Sequence, residues 1–138
     1  MKAIDLACGI VLALAIIPAI GSADPTRRAE RLETLVIDAE TGFSVTQYEL
    51  QAGIYYRWRI ATDGRDDYTV TATGLFSESW IDKITIDDTT LRVSGLNSLT
   101  FEEESQSEIW FVPLRAGTYR FAVEGLAALG FAGEVIVK

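Results

Sequence analysis

Hydrophobic and polar positions alternate along most of this chain in segments of about three to seven residues, and several segments are rich in β-branched residues. Alternation with a period of two places successive side chains on opposite faces, so these segments predict half-buried β-strands. Nine strands are predicted, at 35–37, 44–50, 54–60, 68–72, 83–86, 91–93, 109–112, 119–123 and 134–137.

Turn-forming residues separate the predicted strands at the spacing typical of a sandwich or barrel. Examples are Thr41-Gly42, Asp63-Gly64 and Ala116-Gly117. Only 75–81 and 126–130 look helical, and each is long enough for one or two turns. The pattern therefore predicts an all-β Greek-key sandwich with two short helical pieces.

The first twenty-three residues follow a different pattern. A short start containing Lys2 leads into an apolar run from Leu6 to Ile20, and the small residues Gly21-Ser22-Ala23 precede Asp24. This is the pattern of a secretory signal cleaved after Ala23, although the run is also long enough for a membrane anchor helix. We expect residues 1–23 to be a signal peptide or anchor, 24–33 a polar linker and 34–138 one domain.

Residue types that most catalytic and metal sites need are missing. The chain has no His, and its single Cys and single Met are Cys8 and Met1, within the targeting segment. The domain therefore has no imidazole, thiolate or thioether for nucleophilic triads, ordinary zinc sites, haem or blue copper. Carboxylates, hydroxyls, Lys, Arg and Tyr remain, and a paired-carboxylate enzyme would need a cleft holding two of the acids.

The net charge is −8, and cleavage after Ala23 would leave it unchanged because Lys2 and Asp5 cancel. Binding to a nucleic acid needs a basic surface that can neutralise phosphates. We therefore expect no nucleic-acid partner. An acidic surface favours solubility, or docking to a basic patch on another protein.

The C-terminal part contains a specific motif. Residues 109–121 read IWFVPLRAGTYRF, and the chain continues through a loop to the strand-like segment EVIV at 134–137. This resembles the end of the cupredoxin family, in which F-x-P, a turn and G-x-Y-x-F lead into the copper-binding loop and a final strand. The resemblance implies a cupredoxin-like Greek-key β-sandwich.

The same resemblance assigns the copper-ligand positions without a gap. Val123 stands at the position of the cysteine, Leu126 at that of the histidine and Phe131 at that of the axial methionine. The fourth ligand is another histidine, which this chain lacks. These vestigial positions imply a copperless member without a cofactor, in which apolar side chains fill the former site.

Two acidic clusters are alternative sites. Asp63, Asp66 and Asp67 lie in one predicted turn and could bind a hard cation such as Ca²⁺, although the spacing also suits a polar hairpin turn. The second cluster, Glu102–Glu104 with Glu108, is expected to be a solvated loop or edge.

The segment 54–60 contains a candidate contact surface. Alternation places Tyr55, Arg57 and Arg59 on one face, and Tyr56 and Trp58 on the core face. Arg and Tyr are frequent at protein interfaces, so the first three residues are a candidate docking stripe, although an ordinary exposed sheet face has the same pattern.

These observations predict an exported, non-metallated cupredoxin-like interaction module that is not an enzyme. Its expected location is periplasmic or otherwise extracytoplasmic, after secretion through the inner membrane. There it would be soluble or an accessory subunit of a membrane complex of the electron-transfer or photosynthetic type. Membrane contact would come only through residues 1–23. The alternative is a periplasmic protein that binds metal through carboxylates.

Overall fold

The computed structural model describes residues 28–138, so the predicted signal or anchor lies outside the described residues. No helix within 28–138 is long and apolar enough to cross a membrane. The described chain forms strands β1 (Glu30–Arg31), β2 (Leu35–Asp38), β3 (Gly42–Phe43), β4 (Gln47–Leu50), β5 (Tyr56–Thr62), β6 (Tyr68–Thr71), β7 (Ser79–Ile86), β8 (Thr89–Leu91), β9 (Ser98–Phe101), β10 (Gln106–Pro113), β11 (Gly117–Val123) and β12 (Ala132–Val137), a helix α1 (Thr73–Ser77) and a 3₁₀ turn (Ala127–Leu129).

The strands form two mixed sheets. The larger sheet has the order β3-β2-β5-β10-β7-β8, and β1 pairs in parallel with β5 beside β2. The smaller sheet has the order β4-β12-β11-β6-β9, in which β4 and β12 are parallel. Neighbours such as β5 and β10 are far apart in sequence, so the sandwich is built by long-range pairing, as the predicted β-sandwich class requires.

A single hydrophobic core lies between the sheets, with aromatic rings at its centre. On β5, Tyr56, Trp58 and Ile60 are buried and the intervening residues are half-buried, as alternation predicts. The ring of Phe121, on β11, is fully buried and lies 5.4 Å from that of Trp58 and 5.7 Å from that of Tyr48. Tilted and edge-on ring pairs of this kind add stability beyond the area that they bury.

The cupredoxin-like motif makes a tight corner before β11. The hydroxyl of Tyr119 donates a hydrogen bond to the carbonyl oxygen of Arg115, at 3.1 Å. A Cβ added to Gly117 would lie 3.2 Å from the Tyr119 ring, so a larger residue would crowd that ring. The glycine and tyrosine of the motif thus have a structural role, which is to fix the turn into β11.

The structure departs from the sequence-based elements in several places. The predicted linker 24–33 ends inside the fold, because Glu30–Arg31 form β1 and pair with β5. The strands β3 and β9 were not predicted, and the predicted helical segment 75–81 divides between α1 and the start of β7. Trp80 and Ile81 become strand residues because they pair with β10, so tertiary pairing overrides the local pattern.

Candidate functional site

The loop between β11 and β12 brings together the three positions that the family resemblance assigns to copper ligands, those of Val123, Leu126 and Phe131. Val123 is the last residue of β11, and its backbone N–H donates to the carbonyl oxygen of Phe131 at 2.9 Å. The N–H of Leu126 donates to the carbonyl oxygen of Val123 at 3.1 Å. These two bonds close the loop, so the three side chains lie at one end of the sandwich.

Apolar contacts close this end of the core. Val123 is 1% exposed and Phe131 6%, while Leu126 is half-buried against the core. The ring of Phe131 stacks on Tyr68 with centroids 6.0 Å apart, and meets the ring of Phe43 edge-on at 5.9 Å. Phe131 therefore acts as a plug between the two sheets.

The residues in this loop do not fit the metal that the fold family binds. Blue copper requires imidazole, thiolate and thioether ligands, whereas Val123, Leu126 and Phe131 carry only carbon side chains. Within residues 28–138, no group of three or more His, Cys, Asp or Glu side chains is arranged to hold a metal ion.

Asp63, the first of the three cation candidates, has a structural role in its turn. Its Oδ2 accepts a hydrogen bond from the N–H of Ala39 at 2.9 Å, and its Oδ1 accepts from the N–H of Arg65 and the hydroxyl of Tyr68, both at 3.1 Å. The backbone N–H groups of Ala39 and Arg65 lower the pKa of Asp63, while burial raises the pKa of Tyr68 to about 12. The carboxylate of Asp63 thus holds the loop after β2 against the loop after β5 through hydrogen bonds to both.

The other two candidates do not join Asp63 in a ligand cluster. Asp66 is exposed, and its Oδ1 accepts a hydrogen bond from the backbone N–H of Asp67 at 2.9 Å. The loop is polar, but the hairpin turn considered from the sequence is wrong, because the loop connects β5 in the larger sheet to β6 in the smaller sheet.

The docking stripe predicted on β5 lies on the outer face of the larger sheet, but it is not freely exposed. Tyr56 and Trp58 point into the core as expected, whereas the side chains of Arg57 and Arg59 are 20% and 43% exposed. Both arginines bind Glu108, whose side chain is 13% exposed. The prediction that Glu108 belongs to a solvated acidic loop or edge is wrong, because it lies in β10 between β5 and β7.

Glu108 is held by both guanidinium groups. Nε of Arg57 donates to Oε2 at 2.7 Å and its Nη2 donates to Oε1, while Nε of Arg59 donates to Oε1 at 2.8 Å. The hydrogen bond from Arg57 is the largest cause of a lowered pKa for Glu108, and Arg59 adds to it. The carboxylate is therefore a fixed negative charge at the centre of the face.

Trp110, two residues further along β10, extends this face. The guanidinium carbon of Arg57 lies 5.0 Å from the centre of its ring system and Nζ of Lys83 lies 4.3 Å from it, which are cation–π distances. The hydroxyl of Tyr55, whose ring is 6.0 Å away, donates to Oδ2 of Asp82 at 2.6 Å. Burial and this bond to Asp82 raise the pKa of Tyr55.

Sequence reasoning missed Glu108, Trp110 and Lys83 as members of this surface. The signal was present in part, because Glu108 and Trp110 alternate with the buried Ser107, Ile109 and Phe111. The predicted strand at 109–112 began too late to include Glu108. Even with the right boundary, the partners on β5 and β7 follow only from strand pairing.

The comparisons with known proteins concern the fold alone. No family model matches the sequence, and no curated protein matches it. Among solved structures, a multicopper oxidase from Campylobacter jejuni matches with a TM-score of 0.60 and 9% identity over 83% of this chain and 31% of that chain. Another multicopper oxidase matches with a TM-score of 0.65 and 8% identity over 81% and 45%.

A copper nitrite reductase from Nitrosomonas europaea matches with a TM-score of 0.63 and 9% identity over 87% of this chain and 52% of that chain. This chain thus spans roughly a third to a half of each of the three. The regions matched are domains with a cupredoxin-like fold. At such low identity the likeness extends to architecture and no further, and the chain is a cupredoxin-like β-sandwich.

Proposed function

We propose that this protein is an exported cupredoxin-like module that holds no copper and acts by contact with another protein. In this proposal it is neither an electron carrier nor an enzyme. It works in the periplasm, as an accessory subunit of a membrane complex. The contact surface is the outer face of the larger sheet around Tyr55, Arg57 and Arg59.

The observation that supports the proposal best is the apolar closure of the loop between β11 and β12. An empty copper site would leave buried donors and acceptors unpaired, at a cost of roughly 1–3 kcal/mol for each group. Val123 and Phe131 fill that space with carbon and are almost fully buried. A domain closed in this way gains stability from the loop and has to act through another part of its surface.

The experiment is isolation of the native protein from membrane and soluble fractions in mild detergent, with intact mass and metal content measured on each pool. We expect no stoichiometric copper and a co-eluting membrane protein. One copper per chain would overturn the metal-free assignment. A lone soluble species beginning at Asp24 would overturn the assignment as a membrane-complex subunit, and calorimetry with Ca²⁺ would then test the carboxylate alternative.

A further inference from the structure

A cleft of about 180 Å³ opens on the outer face of the larger sheet, where β1 joins β5. Arg31, Leu32, Thr34, Arg57 and Arg59 line it. The strands hold it firmly, because the N–H of Leu32 donates to the carbonyl oxygen of Arg57 at 3.0 Å. Its cations are thus presented from paired strands, which position side chains better than a loop does.

The charge in this cleft is unbalanced. Three guanidinium groups line the cleft, and among residues 28–138 the one carboxylate within ion-pair distance of any of them is that of Glu108, which binds Arg57 and Arg59. Positive charge therefore exceeds negative charge in the described part of this cleft, although the protein has a net charge of −8. Arg31 is exposed and stands directly opposite Arg57 in the pairing of β1 with β5. Among residues 28–138, Arg31 has no carboxylate partner. Like charges placed opposite each other across strands are destabilising, so a bound anion would relieve a repulsion built into the sheet.

The guanidinium groups also keep unused hydrogen-bond donors. An arginine has five N–H donors in a planar fork, and Glu108 accepts from Nε and Nη2 of both Arg57 and Arg59. Within the described residues, the Nη1 groups of Arg57 and Arg59 donate no hydrogen bond. A planar fork suits carboxylate and phosphate oxygens better than it suits halide ions.

We infer that the cleft between Arg31 and the Arg57–Arg59 pair binds a single oxoanion group, a carboxylate or a phosphate, supplied by a ligand or partner. The inference deepens the proposed contact function and rests on it, because it names the chemistry recognised on the same face. It is independent of whether the loop between β11 and β12 holds copper.

The test is a titration of the ¹⁵N-labelled full chain in detergent with sodium phosphate and, separately, sodium acetate at constant ionic strength. Amide shifts are followed by two-dimensional NMR. We expect saturable shifts at Arg31, Leu32 and Arg57 with one of the two anions. The anion that binds more tightly identifies the source as phosphate or carboxylate. Arg31→Gln should weaken binding by about tenfold, which corresponds to about 1.4 kcal/mol.

Arg120→Gln is the matched control. Arg120 is exposed on β11, in the smaller sheet, so this variant makes the same change in net charge away from the cleft. It should alter the affinity by less than about twofold, since exposed charges more than a Debye length apart are largely screened. Glu108→Gln should act in the opposite direction and tighten binding, because it frees the donors of Arg57 and Arg59.

If neither anion causes saturable shifts, the inference is wrong. An equal loss of affinity in the Arg31 and Arg120 variants would also overturn it, because it would indicate a general effect of net charge. A parallel titration with Cu²⁺ separates this inference from the proposed function. Tight copper binding would contradict the metal-free assignment and leave the anion site standing. If neither anion binds and Cu²⁺ does not bind either, the inference of an oxoanion site is wrong and the metal-free assignment stands.

Discussion

Replacement of Phe131 by alanine tests whether the loop between β11 and β12 is a packed plug. Phe131 is 6% exposed, and its ring contacts those of Tyr68 and Phe43. Truncation of a buried Phe to Ala costs about 3–5 kcal/mol, through lost burial and the cavity that remains. This range includes the loss of two aromatic pairs, each worth about 0.5–1.5 kcal/mol.

The assay is equilibrium urea denaturation followed by tryptophan fluorescence. With a slope of about 2 kcal/mol/M, the expected loss lowers the midpoint of Phe131→Ala by about 1.5–2.5 M. Leu129→Ala is the matched control from the same loop. Leu129 is 72% exposed, so its truncation should change the free energy of unfolding by no more than about 0.5 kcal/mol. If the two variants unfold at midpoints within experimental error, the ring closes no core and the plug is refuted.

Three further predictions concern Gly133 in the smaller sheet, Asp63 in the loop after β5 and Glu108 on the charged face of the larger sheet. Gly133→Ala should lower the free energy of unfolding by about 1–3 kcal/mol, because the new Cβ would lie 2.4 Å from a ring carbon of Phe121. Gly95→Ala is the control in the same urea assay. Its Cβ would meet nothing within 4 Å, so it should be nearly neutral. Asp63→Ala should lower the thermal midpoint clearly more than Asp66→Ala, since Asp63 accepts three hydrogen bonds and Asp66 accepts one. Equal midpoints would contradict the role of Asp63 in holding two loops together. Glu108, whose pKa is lowered in the folded protein, stabilises the fold above its unfolded value near 4.5 and loses this contribution as the pH falls through its lower folded pKa. The difference in urea midpoint between the wild type and Glu108→Gln should therefore be constant from pH 7 to 5 and shrink below 4.5, and a difference that does not shrink would refute the assignment.

The sequence alone was sufficient to predict the strands that bury one face in the core. The segments at 54–60 and 119–123 alternate regularly because one side of each strand meets the core, and both lie within or close to observed strands. β1 and β3 have two residues each, too few to show a period. They exist because a neighbouring strand offers free backbone groups, which a single sequence does not reveal.

The two candidate sites differ in the same way. The family resemblance assigned Val123, Leu126 and Phe131 to one loop, and they lie close together because β11 and β12 on either side of it form one antiparallel hairpin. The face around Arg57 and Glu108 joins residues fifty-one positions apart, through the register between β5 and β10. Charge alone predicted a solvated glutamate, whereas cross-strand pairing makes that residue the centre of an ion-pair network.

The basic cleft also bears on the expectation that nucleic acid is not a partner. A polyanion is held by cations spread along its length, and each neutralised phosphate adds to the affinity. Arg31, Arg57 and Arg59 are confined to one cleft of a protein of net charge −8, and Glu108 already neutralises one of them. At physiological ionic strength the Debye length is about 8 Å, so acidic residues farther than this from the cleft are largely screened. The guanidinium groups, in contrast, act on a bound anion at hydrogen-bond distance. We therefore expect such a surface to bind a single carboxylate or phosphate group on an otherwise neutral or basic partner rather than a continuous phosphate backbone.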